Sequence, residues 1–135
     1  MAHSPAGLLL LRVKLTDDFY LGPGKADLLE LIAETGSIGA AGKRMEMSYK
    51  RAWSLVQVMN AAFPAPLVET TRGGSGQGGA VVTPLGQKVL THYRTMQRKT
   101  EAAIADDITA LLVDMSGKKQ RLRGRCGFGT NSLCS

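Results

Sequence analysis

The sequence predicts a mainly α-helical chain with a small β hairpin, an N-terminal strand and a long C-terminal helix. Apolar residues make up 44% of the 135 residues but aromatic residues only 5%, which favours packed helices over a β sandwich. Helical periodicity recurs through the middle of the chain, and glycine and proline interrupt it where short connections are expected. A chain of this length fits one domain, which we predict over residues 1–115.

The first element is a predicted strand over residues 8–16. Apolar residues at Leu9, Leu11, Val13 and Leu15 alternate there with more polar positions, which is the period of a half-buried strand. A Gly-Pro-Gly sequence at 22–24 ends this pattern. Apolar positions at helical spacing then predict a first helix from Lys25 to near Gly36.

Two serines are predicted to cap the next two helices. Ser37 precedes a short helix over 38–45, and Ser48 precedes a helix of about four turns that ends at Ala62, before Pro64. The apolar residues of this longer helix recur at spacings of three and four and share one face. They are Ala52, Leu55, Val56 and Met59. The remaining faces are polar and basic.

A hairpin with a glycine-rich tip is predicted to follow. Its strands are the short runs 67–72 and 80–83, and five of the seven residues between 73 and 79 are glycine. Gly74, Gly76 and Gly79 also satisfy G-x-G-x-x-G, but a dinucleotide site needs a helix directly after the glycines. Because a strand is predicted there instead, we expect no cofactor.

A long helix is predicted from Pro84 to about residue 112, with Thr83 as its cap. Apolar positions along it recur at intervals near three and a half, and a helix this long exceeds what a small domain can cover. We therefore expect a homodimer that forms through this helix. The predicted interface consists of Leu85, Val89, His92, Met96, Ile104, Ile108 and Leu111.

The net charge of +6 is unevenly distributed along the chain. Residues 36–88 carry six basic and two acidic groups, and residues 116–135 carry five basic groups and none that is acidic. Such segments favour an anionic partner. The second of them is low in apolar periodicity and contains both cysteines, so we predict a disordered basic tail over 116–135 and no metal site. The start of the chain resembles neither a signal peptide nor a membrane span, and we expect a cytoplasmic protein.

The segment from Ser37 to Asn60 has the order of a helix-turn-helix, and the hairpin after it has the position of a wing. This arrangement places the second helix in the major groove of DNA. Its predicted contact residues are Ser48, Tyr49, Lys50, Arg51, Ser54 and Gln57. The wing would add phosphate contacts through Arg72, Gly73, Gly74 and Gly76. Lys43 and Arg44 either contact phosphates or remain solvated.

Two stretches carry a resemblance to a known family. The sequences GSIGAAGKRMEMSYKRAWSLVQVMN at 36–60 and LVETTRGGSGQGGAVVTPLGQKVL at 67–90 closely resemble the N-terminal domain of ModE-type molybdate-responsive transcription regulators. That domain is similar to the winged helix-turn-helix of LysR-type regulators. The resemblance covers roughly residues 8–112 and implies a transcription regulator that binds DNA through residues 48–57 and the wing and dimerises through the long helix. Full-length family members also carry C-terminal molybdate-binding domains, which these 135 residues do not resemble, so we expect no direct molybdate binding.

Other interpretations remain open at this level. The chain could be an interaction module that pairs with a full-length regulator, or a small oxyanion-binding protein that uses the glycine tip. No catalytic constellation is recognisable, so an enzyme is not expected. Trp53 is predicted to lie in the core, His92 at the dimer interface or in the core, and Asp106 and Asp107 on a solvated helix face.

Overall fold

The computed structural model describes residues 10–72 and 78–116 of the chain. Within them the elements are β1 (Val13–Thr16), β2 (Phe19–Leu21), α1 (Pro23–Thr35), α2 (Ile38–Arg44), α3 (Tyr49–Ala62), β3 (Val68–Arg72), β4 (Gly78–Val82) and α4 (Pro84–Ser116). Both strand pairs are antiparallel, β1 with β2 and β3 with β4. The predicted fold class is confirmed. The chain divides into two compact units, Met1–Lys99 and Thr100–Ser135, and α4 supplies residues to both.

The predicted N-terminal strand is present, but its bounds and its pairing differ from the prediction. The strand is shorter than residues 8–16, and after a turn it pairs with β2, which the prediction missed. Its register shifts between Lys14 and Thr16, and Leu15 is 49% exposed instead of facing the core. Phe19 and Leu21 of β2 supply the buried side chains of this hairpin. The sequence prediction missed β2 because a three-residue strand is too short to show a periodic pattern. Leu8 and Leu9 lie outside the described residues.

The core of the first unit forms around α1, where Leu28, Leu29 and Ile32 are completely buried. Apolar residues from α3 and both hairpins join the same cluster, and α4 contributes Val89 and Tyr93. The hydroxyl of Tyr93 donates a hydrogen bond of 2.7 Å to the carbonyl of Leu11, which joins α4 to the chain just before β1. The first half of α4 is thus part of this core.

The helix boundaries follow from local hydrogen bonds that the sequence anticipates. Ser37 Oγ accepts from the NH of Ala40 at 3.0 Å, and Ser48 Oγ accepts from the NH of Arg51 at 3.1 Å. Gly36 ends α1 with a φ of 72°, a conformation that favours glycine. A Cβ atom at Gly42 would lie 2.9 Å from that of Ala52, so the glycine allows α2 and α3 to approach closely.

An ion pair network holds α4 against α1. Arg94 donates to Asp27 at 2.8 Å and to Glu30 at 2.6 Å, and its side chain is only 28% exposed. Burial disfavours the charged guanidinium, but the hydrogen bonds and charges of the two carboxylates outweigh that cost and raise the pKa of Arg94. This contact fixes the beginning of α4 within the first unit.

The described part of the second unit is the helical segment from Thr100 to Ser116. The helix extends four residues beyond the predicted end, and residues 117–135 of the predicted tail lie outside the described residues. Ile104 and Ile108 are half-buried, whereas Leu111 and Met115 are 59% and 66% exposed. These four residues follow one another at spacings of four, three and four, which places them in one row along the helix.

The described residues also bear on features of the sequence that could indicate a nucleotide site, a metal site or a membrane span. Gly79 lies in β4, so a strand follows the glycine pattern as predicted, while Gly74 and Gly76 lie outside them. Asp106 and Asp107 are exposed. In the described ranges no group of three or more His, Cys, Asp or Glu side chains is placed to hold a metal ion. None of the described helices has the length and apolar character needed to cross a bilayer.

Candidate nucleic-acid interface

The orientation of α3 follows from which of its residues are buried. Ala52, Val56 and Met59 are completely buried and share one face. In a helix of 3.6 residues per turn the opposite side then carries Lys50 and Ser54, and Gln57 lies close to them. The DNA contacts that were predicted on α3 and at its N-cap are all exposed: Ser48, Tyr49, Lys50, Arg51, Ser54 and Gln57. These side chains are therefore accessible from solvent.

The two flanks of α3 contact different parts of the first unit. On one flank the Tyr49 ring lies over Gly39, where an added Cβ atom would be 3.5 Å from the ring, and Tyr49 lines a cleft together with Thr70 and Thr71 of the wing. On the other flank Arg51 lines a pocket with residues of the N-terminal hairpin and of α1. The wing and the hairpin thus border the exposed face of α3 on opposite sides.

The base of the wing is tied to the helices by hydrogen bonds from Asn60. Its Oδ1 accepts from the NH groups of Leu67 at 2.8 Å and Val68 at 3.1 Å, and its Nδ2 donates to the carbonyl of Val68 at 3.0 Å. On the other strand the NH of Ala80 donates to the carbonyl of Gly36 at 2.9 Å. The wing therefore leaves the helices from a defined position.

The sequence interpretation missed this role, because Asn60 falls on the polar and basic faces that remain outside the apolar face of the helix. Asn60 lies in the last turn of a helix that ends before Pro64. An asparagine at such a position often bonds to nearby backbone groups, and this signal could have revealed its role. At the far end of the wing, Gly73, Gly74 and Gly76 and the side chain of Arg72 lie outside the described residues. Their predicted phosphate contacts remain predictions.

The prediction for Trp53 is wrong. Its side chain is 43% exposed, because one residue after the buried Ala52 the helix has turned by about 100° away from the core. Trp53 lies three residues after Lys50 and four before Gln57, so it shares their side of α3. Among the described aromatic residues, Tyr93 of α4 is the one that is completely buried. Trp53 thus joins the accessible side chains of the site.

The two basic residues at the end of α2 differ in their surroundings. Lys43 is exposed. Arg44 lies 3.5 Å from Glu34 of α1, and both of these side chains are about half exposed, so this pair adds little to stability. The charge of Arg44 is partly balanced within the protein.

The predicted dimer residues fall into three groups. Val89 is 8% exposed and belongs to the core of its own chain, which leaves little of its surface for a partner. Leu85 and Met96 are half-buried against that core, and His92 is exposed, which excludes the core for it. Ile104, Ile108 and Leu111 belong to the second unit. The sequence pattern could not separate these groups, because the same apolar spacing serves a core and an interface.

Residues 25–87 match the sequence profile of the bacterial regulatory helix-turn-helix proteins of the lysR family. This segment is a LysR-type helix-turn-helix domain. The match begins in the first turn of α1, covers α2, α3 and the described strands of the wing, and ends shortly after α4 begins. The regulatory family supports DNA binding by the LysR-type domain and agrees with the expectation that the chain is not an enzyme.

Three relatives extend the similarity beyond the LysR-type domain. The transcriptional regulator ModE of Haemophilus influenzae is 36% identical over 95 residues, which cover 70% of this chain and 37% of that protein. The DNA-binding transcriptional dual regulator ModE of Escherichia coli K12 is 37% identical over 102 residues, covering 73% and 39%. The molybdenum-pterin-binding protein MopB of Rhodobacter capsulatus is 43% identical over 77 residues, covering 57% and 28%. These matches confirm the resemblance to the N-terminal part of ModE-type proteins, and the chain spans well under half of the length of these relatives.

Proposed function

We propose that this chain is a sequence-specific transcription regulator that binds an inverted-repeat operator as a homodimer. The observation that carries the proposal is the accessible face of α3 in a LysR-type domain, where Lys50, Ser54 and Gln57 point away from the buried face. Long polar and cationic side chains on such a helix can reach base edges and phosphates in the major groove. A DNA-bound regulator would act in the cytoplasm.

Dimer formation is supported by the apolar row of the second unit. Ile104, Ile108, Leu111 and Met115 repeat at coiled-coil spacing, and the last two are largely exposed in a single chain. Burial against the same row of a second copy would remove this apolar surface from water. Two copies related by a two-fold axis would present two α3 helices to successive major grooves, about 34 Å apart.

The link to molybdenum comes from the relatives. Those relatives include a protein named molybdenum transport protein ModE in Azotobacter vinelandii, 34% identical over 110 residues. We infer that the genes regulated by this chain serve molybdate transport or molybdenum metabolism. We also infer that these 135 residues do not bind molybdate directly, because their similarity is to the N-terminal portion of these proteins. Equilibrium dialysis against molybdate tests this point, and saturable binding would contradict it.

Selection of bound duplexes from a randomised pool tests the main proposal. We expect an inverted repeat whose half-site centres lie one helical turn apart. Lys50→Ala should weaken binding to it by about 5- to 150-fold, the range for one base contact of 1–3 kcal/mol. Lys88→Ala is the matched control, because Lys88 is an exposed lysine of α4 and should leave binding unchanged. A chain that selects no symmetric sequence but pairs with a full-length regulator would be the interaction module instead.

The dimer is tested by a pair of matched variants. Leu111→Lys places a charge in the apolar row, and we expect the variant to sediment as a monomer and to lose affinity for the complete repeat but not for a half-site. Val113 is also an exposed apolar residue, at 64%, but it lies about 200° around the helix from Leu111. Val113→Lys should therefore remain dimeric. If both variants remain dimeric, the apolar row is not the dimer interface.

A further inference from the structure

A small pocket beside α3 is lined by three cationic side chains from separate parts of the chain. Its volume is about 190 Å³, and Arg12, Lys25 and Arg51 all line it. Arg12 directly precedes β1, Lys25 lies in the first turn of α1, and Arg51 lies in the first turn of α3. None of the described residues that line this pocket carries a carboxylate. The fold thus brings together three positive charges that are up to 39 positions apart in the sequence.

Two of these cations, Arg12 and Lys25, lie against aromatic rings. The guanidinium of Arg12 lies 4.5 Å from the ring centre of Tyr20, and the ammonium of Lys25 lies 5.5 Å from that of Phe19. Such contacts orient a cation without neutralising it. Among the residues that the structure describes, none of the three forms an ion pair.

The three charges also influence one another. Burial, and next the neighbouring charges of Arg12 and Arg51, lower the pKa of Lys25 below its ordinary value. Like charges placed together in a folded protein oppose folding, and an anion between them would relieve that repulsion. The N-terminus of α1 also borders this pocket, since its N-cap residue Gly22 is one of the lining residues. No side chain forms a capping hydrogen bond with this end of the helix. Its positive end adds to the potential there.

We propose that Arg12, Lys25 and Arg51 form a phosphate-binding site that receives a phosphodiester of the operator backbone. This inference rests on the proposed DNA-binding function. Arg51 lies on the flank of α3 that is opposite to Tyr49 and the wing, and a helix in the major groove has one DNA strand on each side. With the wing on one strand and this site on the other, the protein would hold the backbone on both sides of α3.

The salt dependence of DNA binding tests the proposal with Lys25→Ala and Arg12→Ala. Each lost phosphate contact should make the slope of log K against log salt less negative by about 0.9. Between 50 and 200 mM salt, that change corresponds to a loss of affinity about 3.5-fold smaller than in the wild type. Lys25→Arg keeps the charge and should keep the wild-type slope. Lys88→Ala removes the same charge from α4, outside the pocket, and should also keep it.

A second measurement separates binding from a structural effect. The pKa of the Lys25 ammonium, followed by NMR, should rise when a saturating operator duplex is added, because a phosphate replaces repulsion with attraction. Arg12, Arg51 and Tyr20 are the titratable and charged groups that face Lys25 here. A role limited to folding would leave this pKa unchanged by DNA.

The outcomes distinguish this site from the proposed function itself. If the wild type binds its operator and Lys50→Ala weakens it, but Lys25→Ala and Arg12→Ala keep the wild-type slope, the phosphate site is refuted and the proposed function stands. If inorganic phosphate raises the pKa of Lys25 but the operator duplex does not, and those slopes stay unchanged, the pocket takes a free oxyanion and not the backbone. If the wild type binds no DNA in a salt-dependent manner, both proposals fail.

Discussion

Asn60 offers the sharpest test of how the wing is attached to α3. Replacing it with alanine removes three hydrogen bonds at once, two accepted from backbone NH groups and one donated to a carbonyl. The residues whose backbone groups lose their partners, Leu67 and Val68, are 0% and 2% exposed, so water cannot easily replace the Asn60 amide. With about 0.5–1.5 kcal/mol for each bond, and more where a buried group stays unsatisfied, Asn60→Ala should cost about 2–4 kcal/mol.

Urea unfolding followed by circular dichroism measures this loss, at one fixed protomer concentration because a dimer would make stability depend on concentration. Asn60→Asp retains the acceptor but not the donor, and its cost should be smaller. Gln57→Ala changes an exposed residue of the same helix and should stay within about 0.5 kcal/mol of the wild type. If Asn60→Ala unfolds at the same urea concentration as Gln57→Ala, these hydrogen bonds do not anchor the wing and the reasoning is refuted.

Three further predictions concern the packing and the charges of the first unit. Gly86→Ala should destabilise the protein by about 1–3 kcal/mol in urea unfolding, because its Cβ would collide with the Leu67 carbonyl and lie 2.7 Å from a methyl group of Val82; Gly24→Ala, which meets open space, should be neutral or slightly stabilising. Arg94→Met should cost about 1–3 kcal/mol by the same assay, since it leaves two carboxylates of α1 side by side, and equal stability would show that the network is unimportant. Lys25→Gln should unfold at higher urea than the wild type at neutral pH and low salt. Folding lowers the pKa of Lys25, so the charged Lys25 destabilises the folded protein at pH values below its folded-state pKa. This destabilisation disappears as the pH rises from the folded-state pKa to the higher unfolded-state pKa. The difference in stability between Lys25→Gln and the wild type should therefore vanish at alkaline pH.

Local patterns predicted most of the first unit. Ser37 and Ser48 cap their helices as expected, since the signal for a cap lies within four residues of the chain. The exposed face of α3 could also be predicted, because the buried Ala52, Val56 and Met59 set its phase. The error at Trp53 came from a rule about residue type, which favours burial of an aromatic side chain. The position of Trp53 on the helix, away from the buried face, indicated exposure instead.

Other parts of the candidate site depend on contacts between distant segments. The apolar spacing of α4 looks continuous from Leu85 to Leu111, yet the fold buries Val89 and Tyr93 in the chain's own core and leaves Leu111 exposed. The second strand of the N-terminal hairpin is too short for a periodic pattern, and its identity depends on pairing with β1.

The sequence by itself determined the helix-turn-helix, the wing and the polar face of α3, because caps, breakers and periodicity act over a few residues. Only the tertiary structure decided that Asn60 anchors the wing and that Arg12, Lys25 and Arg51 share one pocket. Those residues are separated by 7 to 39 positions from the groups they meet, and no local preference of the chain encodes such a meeting. It arises from the way the buried faces of the helices and hairpins pack into one core.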